Sequence, residues 1–330
     1  MKQHITIAQK RTLVKNPILI EGITRAGKFL LGNILDGFDR VDHYKYVSLL
    51  EHLPFLERLG LISEEVAVSL LQVNIDENAY NMQIGRNLNL RSEDKSSLIR
   101  SFKKKEYIQR TLMKDDTQAI DHLKKGNCYS VFIIHEGMPN IKIFFKSFPK
   151  LKIISLQRHP VDIIYSWDVR GWGKREMLDP LSLQPCIRIG RRAMPWYAYR
   201  VSERYPQLNQ MDRVIKIIMS LFEMSSEAVR TLTAQQRKKI LFITYEDLVI
   251  NTFDVIEQIG VFLKTKPLSI MPKILKREHC PNREIHKNRK QKLQDIRGKA
   301  SKKVFQSLMN LIGRYEEYNA HVLLPNSVMT

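Results

Sequence analysis

The sequence predicts an α/β fold: a parallel β-sheet covered by helices on both faces and enlarged by helical insertions. Two observations set the class. Four short β-branched runs, at 17–21, 129–135, 151–157 and 240–245, are nearly continuous in apolar residues, as strands buried on both faces are. Helical patterns follow three of them after short loops, and strands alternating with helices build parallel sheets. A third observation concerns size. With 330 residues, 43% hydrophobic and 27% charged, the chain can bury a sizeable core, which excludes a mainly disordered protein. No repeat and no Gly/Ser- or Pro-rich linker divides it, so residues 1–330 read as a single domain.

The elements follow in order. PILIE at 17–21 is the first strand, and a helical pattern at 28–35 follows its loop. A long, mostly helical insertion covers about 46–125, where LPFLERLGLISEEVAVSLLQ has the spacing of one or two amphipathic helices. YSVFIIH at 129–135 and LKIISLQ at 151–157 are the second and third strands. Pro160 suits the first turn of the helix over 161–169. The block at about 190–236 reads as a second helical insertion. ILFITY at 240–245 is the fourth strand and leads to a helix over 253–263. The segment 273–303 is crowded with Lys and Arg and reads either as a solvated basic surface or as an anion clamp. A helical pattern at 301–318 closes the chain.

Charge narrows the function without choosing it. The 54 Lys and Arg outnumber the 34 Asp and Glu, a formal net charge of +20. Such a surface concentrates anions, whether nucleic acid, a phosphorylated cofactor, an acidic glycan or an anionic membrane. The three cysteines, Cys128, Cys186 and Cys280, are widely spaced and fit neither a disulfide framework nor a zinc set, which suits a reducing compartment. The first 22 residues lack a long apolar run, and no run of about 18 apolar residues marks a membrane span. A cytoplasmic location is therefore expected.

Three motifs carry chemistry. The first, Gly22-Ile23-Thr24-Arg25-Ala26-Gly27-Lys28-Phe29, joins a strand to a helix. Its glycines let backbone N–H groups turn around a phosphate, the helix N-terminus adds partial positive charge, and Arg25 and Lys28 add full charges. It matches the P-loop pattern G-x-x-x-x-G-K, except that Phe29 stands where a magnesium-binding hydroxyl is needed. The loop therefore suits an anion better than a metal-bound triphosphate, and the fold is expected to be of the P-loop type. The second motif places Arg158 at a strand end and Ser166 eight residues later, two helical turns on, where both can face one phosphate. The third is Tyr245-Glu246-Asp247-Leu248, whose acids read mainly as orienting or capping groups.

Together and in this order, the motifs resemble the PAPS-dependent sulfotransferase family, where PAPS is 3′-phosphoadenosine 5′-phosphosulfate. That family has a 5′-phosphosulfate loop of the form G-x-x-(R/K)-(S/A)-G-(T/S)-(T/S), a 3′-phosphate motif of Arg-x-Pro with Ser eight residues after the Arg, and a Y-E-D-L segment. The resemblance spans residues 17 to about 263. It implies PAPS as donor, no metal, and a hydroxyl or amine acceptor on a small molecule or glycan, a saccharide among them. It assigns the donor site to Gly22, Thr24, Arg25, Ala26, Gly27, Lys28, Phe29, Arg158 and Ser166. Arg25 falls at the family's catalytic basic residue, with Lys28 beside it as a proton donor. His135, 23 residues before Arg158, falls near the strand-end histidine base of the cytosolic branch, and Glu136 is the alternative base. His43, Glu51 and His52 rank below them. Two departures stand out. Lys28 and Phe29 replace the loop hydroxyls, and no R-K-G clamp occurs near the C-terminus, where Arg289, Lys290 and Arg297 are loose stand-ins. Trp172 is a further candidate, as a stacking platform. A P-loop kinase-like phosphotransferase and a non-catalytic PAPS- or nucleic-acid-binding protein are the competing readings. No recognition-helix, finger or RNP-type pattern supports the last, so no nucleic-acid partner is expected. The acceptor and the oligomeric state have no motif of their own.

Overall fold

The computed structural model describes residues 6–8, 11–174 and 183–322. The chain runs β1 (Pro17–Glu21), α1 (Lys28–Leu35), β2 (Lys45–Tyr46), α2 (Leu49–Arg58), α3 (Glu64–Gln83), α4 (Lys104–Arg110), α5 (Thr117–Lys125) and β3 (Ser130–Ile133). It continues through α6 (Ile141–Ser147), β4 (Lys152–Gln157), α7 (Pro160–Val169), β5 (Cys186–Ile189), β6 (Arg192–Pro195), α8 (Gln210–Arg230) and α9 (Ala234–Arg237). It ends with β7 (Ile240–Thr244), α10 (Tyr245–Ile250), α11 (Thr252–Leu263), α12 (Met271–Arg277), α13 (Arg289–Lys299) and α14 (Lys302–Val322).

Five parallel strands form the central sheet in the order β2-β3-β1-β4-β7. β1 lies between β3 and β4, with Ile18 opposite Val131 on one side and Ile20 opposite Ile154 on the other. The chain crosses over between these neighbours, so the loops leaving β1 and β4 meet at the C-terminal edge, where open α/β sheets bind ligands. Alternate residues feed different cores. Leu19, Phe132 and Ile153 pack with Leu71 of α3 and Phe144 of α6. Ile18, Ile20 and Leu156 pack with α1, α11 and α12. A third core joins α7, α8 and α14 around Trp167, Ile215 and Leu308.

The predicted strands are present with shifted ends. The run at 129–135 pairs only over Ser130–Ile133, and His135 and Glu136 lie in the turn beyond it. The run at 240–245 stops one residue early, because the Thr244 hydroxyl accepts the Asp247 N–H at 2.9 Å and starts α10. The Tyr245–Leu248 motif is therefore the first turn of a helix. The all-helical expectation for 190–236 fails at its start. Cys186–Ile189 and Arg192–Pro195 form an antiparallel hairpin whose two-residue turn uses Gly190 at φ 60°. β2 has two residues, too few for any periodicity to register.

α1, which carries the loop motif, sits close against Tyr44. A Cβ on Gly32 would lie 2.4 Å from the Tyr44 ring, and the Tyr44 hydroxyl donates to Asn33 Oδ1 at 3.1 Å and to the Lys95 carbonyl at 2.7 Å. The ring cannot retreat without breaking those bonds. Gly32→Ala, though it favours helix locally by about 1 kcal/mol, is expected to destabilise the protein by about 1–3 kcal/mol through overpacking. Urea denaturation of the two proteins checks this; an unchanged or higher midpoint would contradict it.

Candidate active site

The loop from Gly22 to Gly27 is shaped by close approach of backbone. Gly22 has φ 153°, and a Cβ there would stand 2.3 Å from the Leu156 carbonyl of β4. Gly27 has φ 106°, and its Cβ would stand 2.5 Å from the Tyr245 ring. Arg25 takes φ 80°, a conformation unusual for a side-chain-bearing residue and concentrated at functional sites. The Ala26 N–H closes the turn on the Ile23 carbonyl at 2.9 Å. α1 starts directly after Gly27, so its first N–H groups, unpaired by helix geometry, face the loop's concave side.

Lys28 does not project outward. It is buried, and its ammonium donates to the carbonyls of Gly22 and Ile23, the latter at 3.1 Å. Burial pushes its pKa down, while Glu136, Glu21 and Glu51 pull it up. The Phe29 ring turns away into the core and meets Tyr44 edge-on at 5.8 Å. The two departures from the family loop thus have distinct roles. One residue staples the loop from beneath, and the other packs α1.

Above the loop lies an unbalanced positive cluster. Ser166 Oγ accepts from Arg25 Nε at 3.0 Å and from Arg170 Nη1 at 2.9 Å. Arg158 donates to the Arg25 carbonyl at 2.9 Å and stacks on Tyr245, its guanidinium carbon 4.2 Å from the ring centroid. Arg158 Nε is buried with no hydrogen-bond partner. Among the described residues, no carboxylate forms an ion pair with any of the three arginines. Burial lowers the Arg25 pKa first, then the charges of Arg170 and Arg158. Two guanidinium groups on one hydroxyl and a third on the Arg25 carbonyl, with a spare donor and no counter-ion among the described residues, form a cluster that an anion would complete. Arg170 escaped the sequence reading. Its signal was one helical turn of spacing from Ser166.

Beneath the loop lies the opposite charge. Glu21 is buried, accepts from the Ser155 hydroxyl, and accepts the Met138 N–H at 3.1 Å. Glu136 is buried, holds φ 48°, and its Oε1 accepts the Thr24 N–H at 2.6 Å. Glu51 of α2 accepts the His135 N–H at 2.5 Å and the Tyr46 hydroxyl at 3.1 Å, and its Oε1 lies 2.6 Å from His135 Nδ1. Burial raises the Glu51 pKa to about 7 against the pull of the His135 N–H, Lys28 and Tyr46, so Glu51 and His135 form a buried pair in which either can hold the shared proton. Burial, helped by Lys28, lowers the His135 pKa to about 3. Glu136, with Glu21, lines the cavity that reaches the loop; His135 is not among that cavity's walls.

The remaining predicted residues lie elsewhere or are already engaged. Arg289 is held by Asp162 at 2.8 Å and by Glu246 at 3.0 Å. Lys292 and Lys299 bond Asp162 and Asp168, each at 2.6 Å, while Lys290 and Arg297 are exposed. Three cations of the basic segment, Arg289, Lys292 and Lys299, therefore neutralise carboxylates of α7. Trp172 is half-buried, edge-on to Trp167 at 4.9 Å, and Trp167 in turn donates to the Thr24 carbonyl at 3.0 Å. His43 is buried away from the loop, its N–H donating to the Tyr107 hydroxyl oxygen at 2.6 Å.

A phosphate-type loop and an arginine–serine cluster lie side by side at the C-terminal edge of a parallel sheet, where open α/β sheets bind ligands. The sulfotransferase domain family matches residues 15–314, and the chain belongs to that family. Among solved structures, it is similar to the sulfotransferase domain from the curacin biosynthetic pathway, at 17% identity over 81% of this chain and 78% of that one, with a TM-score of 0.43. It is also similar to the sulfotransferase domain of the Synechococcus PCC 7002 olefin synthase, at 16% identity over 79% and 77%, TM-score 0.39. A third similar structure is a Mycobacterium tuberculosis H37Rv sulfotransferase, at 11% identity over 80% and 71%, TM-score 0.40. No curated protein matches the chain. No helix among the described residues is long and apolar enough to cross a membrane.

The buried acid beneath the loop makes stability depend on pH. Burial raises the Glu21 pKa from 4.5 to about 7. Below the unfolded value both states hold the proton. Between 4.5 and about 7 only the folded state keeps it, so stability falls as pH rises through that window and the loss persists above it. Glu21→Gln, whose amide can still accept from Met138 N–H and donate to Ser155, is expected to be more stable than wild type by roughly 1–3 kcal/mol at about pH 8, with the difference vanishing toward pH 4.5. Denaturant titrations across pH check this; a difference that grows on acidification would contradict it.

Proposed function

We propose that this protein transfers a sulfuryl group from PAPS to a hydroxyl or amine acceptor on a small molecule or glycan. The observation that carries the reading is the cluster of Arg25 and Arg170 on Ser166 with Arg158 on the Arg25 carbonyl, unpaired by carboxylate among the described residues and adjoining a loop of the family's form. In this reading the loop N–H groups, the start of α1 and Arg25 hold the 5′-phosphosulfate. Arg158, Ser166 and Arg170 hold the 3′-phosphate, with the spare Arg158 Nε available to it. Tyr245, already beneath Arg158, fixes the plane of that guanidinium. The Arg289 contacts with Asp162 and Glu246 support α7 rather than the nucleotide.

The chemistry is an in-line displacement at sulfur. The acceptor hydroxyl loses its proton to a carboxylate as its oxygen forms the new S–O bond. The bond from sulfur to the bridging phosphate oxygen breaks, and its electron pair stays on that oxygen. Arg25 and the α1 N-terminus supply positive charge where that oxygen becomes anionic, whereas Lys28, expected from the sequence to act there as a proton donor, has its ammonium on the Gly22 and Ile23 carbonyls. We assign the proton to Glu136. It touches the loop at Thr24, lines the cavity leading there, and occupies strained backbone. His135 is the second candidate because it pairs with Glu51 in the turn beside Glu136, but a pKa near 3 makes it a weak base at neutral pH.

Two measurements test the reading. Calorimetry with 3′,5′-adenosine bisphosphate in chelator is expected to show binding that Arg158→Ala weakens by about 1.5–3 kcal/mol, the worth of a charge-assisted contact. Absent binding, or binding of ATP only with magnesium, would overturn it. In turnover assays, Glu136→Gln is expected to lose about 10²–10⁴-fold in kcat with nucleotide affinity retained, while His135→Ala loses far less. The reverse ranking would move the base to His135.

A further inference from the structure

Glu136 sits at φ 48°, a conformation that residues with side chains rarely take. Such a residue keeps its place only where its surroundings over-determine it. The turn after β3 is anchored on both sides of the strained point. The Ile134 N–H donates to the Ile20 carbonyl at 3.0 Å, and the Glu136 N–H to the Gly22 carbonyl at 3.3 Å. Before Glu136, Glu51 accepts the His135 N–H at 2.5 Å. After it, Glu21 Oε2 accepts the Met138 N–H at 3.1 Å, and Arg58 Nη1 donates to the Pro139 carbonyl at 2.8 Å.

Glu21 differs from the other anchors in three ways. It immediately precedes Gly22, so its side chain ties the turn to the start of the loop. Its second oxygen, Oε1, accepts from the Ser155 hydroxyl of β4, so the carboxylate is gripped between a strand and the turn. The turn passes close against it, since a Cβ on Gly137 would stand 3.6 Å from the Glu21 Cβ. The position is also costly. A buried carboxylate loses its hydration, and the amide of the same shape is expected to be the more stable residue there. A group that lowers stability while it braces a strained turn is characteristic of functional sites.

We propose that Glu21 is a positioning residue for sulfuryl transfer: it fixes the Met138 end of the turn against Ser155 and Gly22, and so keeps the Glu136 carboxylate on the Thr24 N–H of the loop. The inference rests on the assignment of Glu136 as proton acceptor. Glu21 acts through Glu136 and not on the substrate. Without the Met138 contact the turn has one anchor fewer on the far side of the strained residue. Its backbone is then free to relax toward an ordinary φ, which carries the Glu136 carboxylate away from Thr24.

The test uses the full chain. Hydrogen exchange at the Thr24 amide, followed by NMR, reads the Glu136 contact without any acceptor present. Glu21→Leu, which removes both oxygens at similar size, is expected to speed that exchange about tenfold or more, and Glu21→Gln, which keeps an oxygen for Met138, to restore the protection. Turnover is measured by radiolabelled sulfuryl transfer from PAPS to 2-naphthol and to glucosamine, a hydroxyl and an amine probe. Glu21→Leu is expected to lower kcat about tenfold or more with the KM for PAPS within about twofold, and to have little further effect in a Glu136→Gln background, because residues that act through one step are not additive. A residue that only supports the fold would lower kcat by the same factor in both backgrounds. Should Glu21→Leu not fold, Ser155→Ala, which frees the carboxylate from its other side, is expected to move both readouts in the same direction by about threefold. Unchanged Thr24 exchange in a folded Glu21→Leu protein, or equal losses of kcat in the two backgrounds, overturns the inference while leaving the sulfotransferase reading intact. Full turnover by Glu136→Gln overturns the assignment of the proton acceptor, and the positioning role with it.

Discussion

The close pairing of β1 with β4 is the constraint on which the rest of the site depends. Ile20 faces Ile154 and Glu21 faces Ser155, so the chain leaving β1 must pass the end of β4 at once. The passage is tight enough that the Leu156 carbonyl occupies the space of a Gly22 side chain. That contact turns the loop toward α1 and places Arg25 where Arg158 can reach its carbonyl and Ser166 its guanidinium. One strand pairing therefore joins two motifs separated by more than a hundred residues into one site. A parallel sheet permits this because the crossover places both strand exits on the same edge.

Charge is layered around that edge. Three arginines lie above the loop and three glutamates beneath it, with the Lys28 ammonium between the layers. Each layer would be costly alone, since buried like charges repel and buried carboxylates lose hydration. Lys28 partly compensates the lower layer, and Glu21 responds to burial by holding its proton toward neutral pH. Among the described residues the upper layer has no such compensation, which is why the proposed function puts the anionic groups of the donor there. The exchange of loop hydroxyls for Lys28 and Phe29 belongs to the same arrangement, because a lysine that grips the loop's own carbonyls holds the loop open without a bound anion.

The strands and the loop motif were legible because their signals are local. Uninterrupted β-branched runs mark doubly buried strands, and two glycines around a turn mark backbone that no side chain fits. The Arg158–Ser166 pair was legible because helical spacing is fixed at two turns. What escaped the reading had no such regularity. The β5–β6 hairpin lies in a segment whose surroundings are helical, and its tight turn depends on Gly190 alone. Arg170 was visible as a residue, but its partnership with Arg25 across the site was not. The basic segment at 273–303 gives the same pattern for a clamp as for a surface, and only the position of α7 shows that Arg289 and Lys292 neutralise Asp162.

The sequence by itself determined the fold class and the strand and loop positions, because each follows from periodicity or from the steric limits of a few residues. Tertiary structure decided which of two adjacent residues touches the loop. His135 and Glu136 are neighbours in the chain, yet the turn after β3 sends one to Glu51 and the other to Thr24 of the loop. It also decided the cavity beneath the loop, whose walls come from α8, α14 and the sheet, elements far apart in sequence and brought together only by packing. Pocket polarity is a property of surfaces that meet, and no single segment contains it.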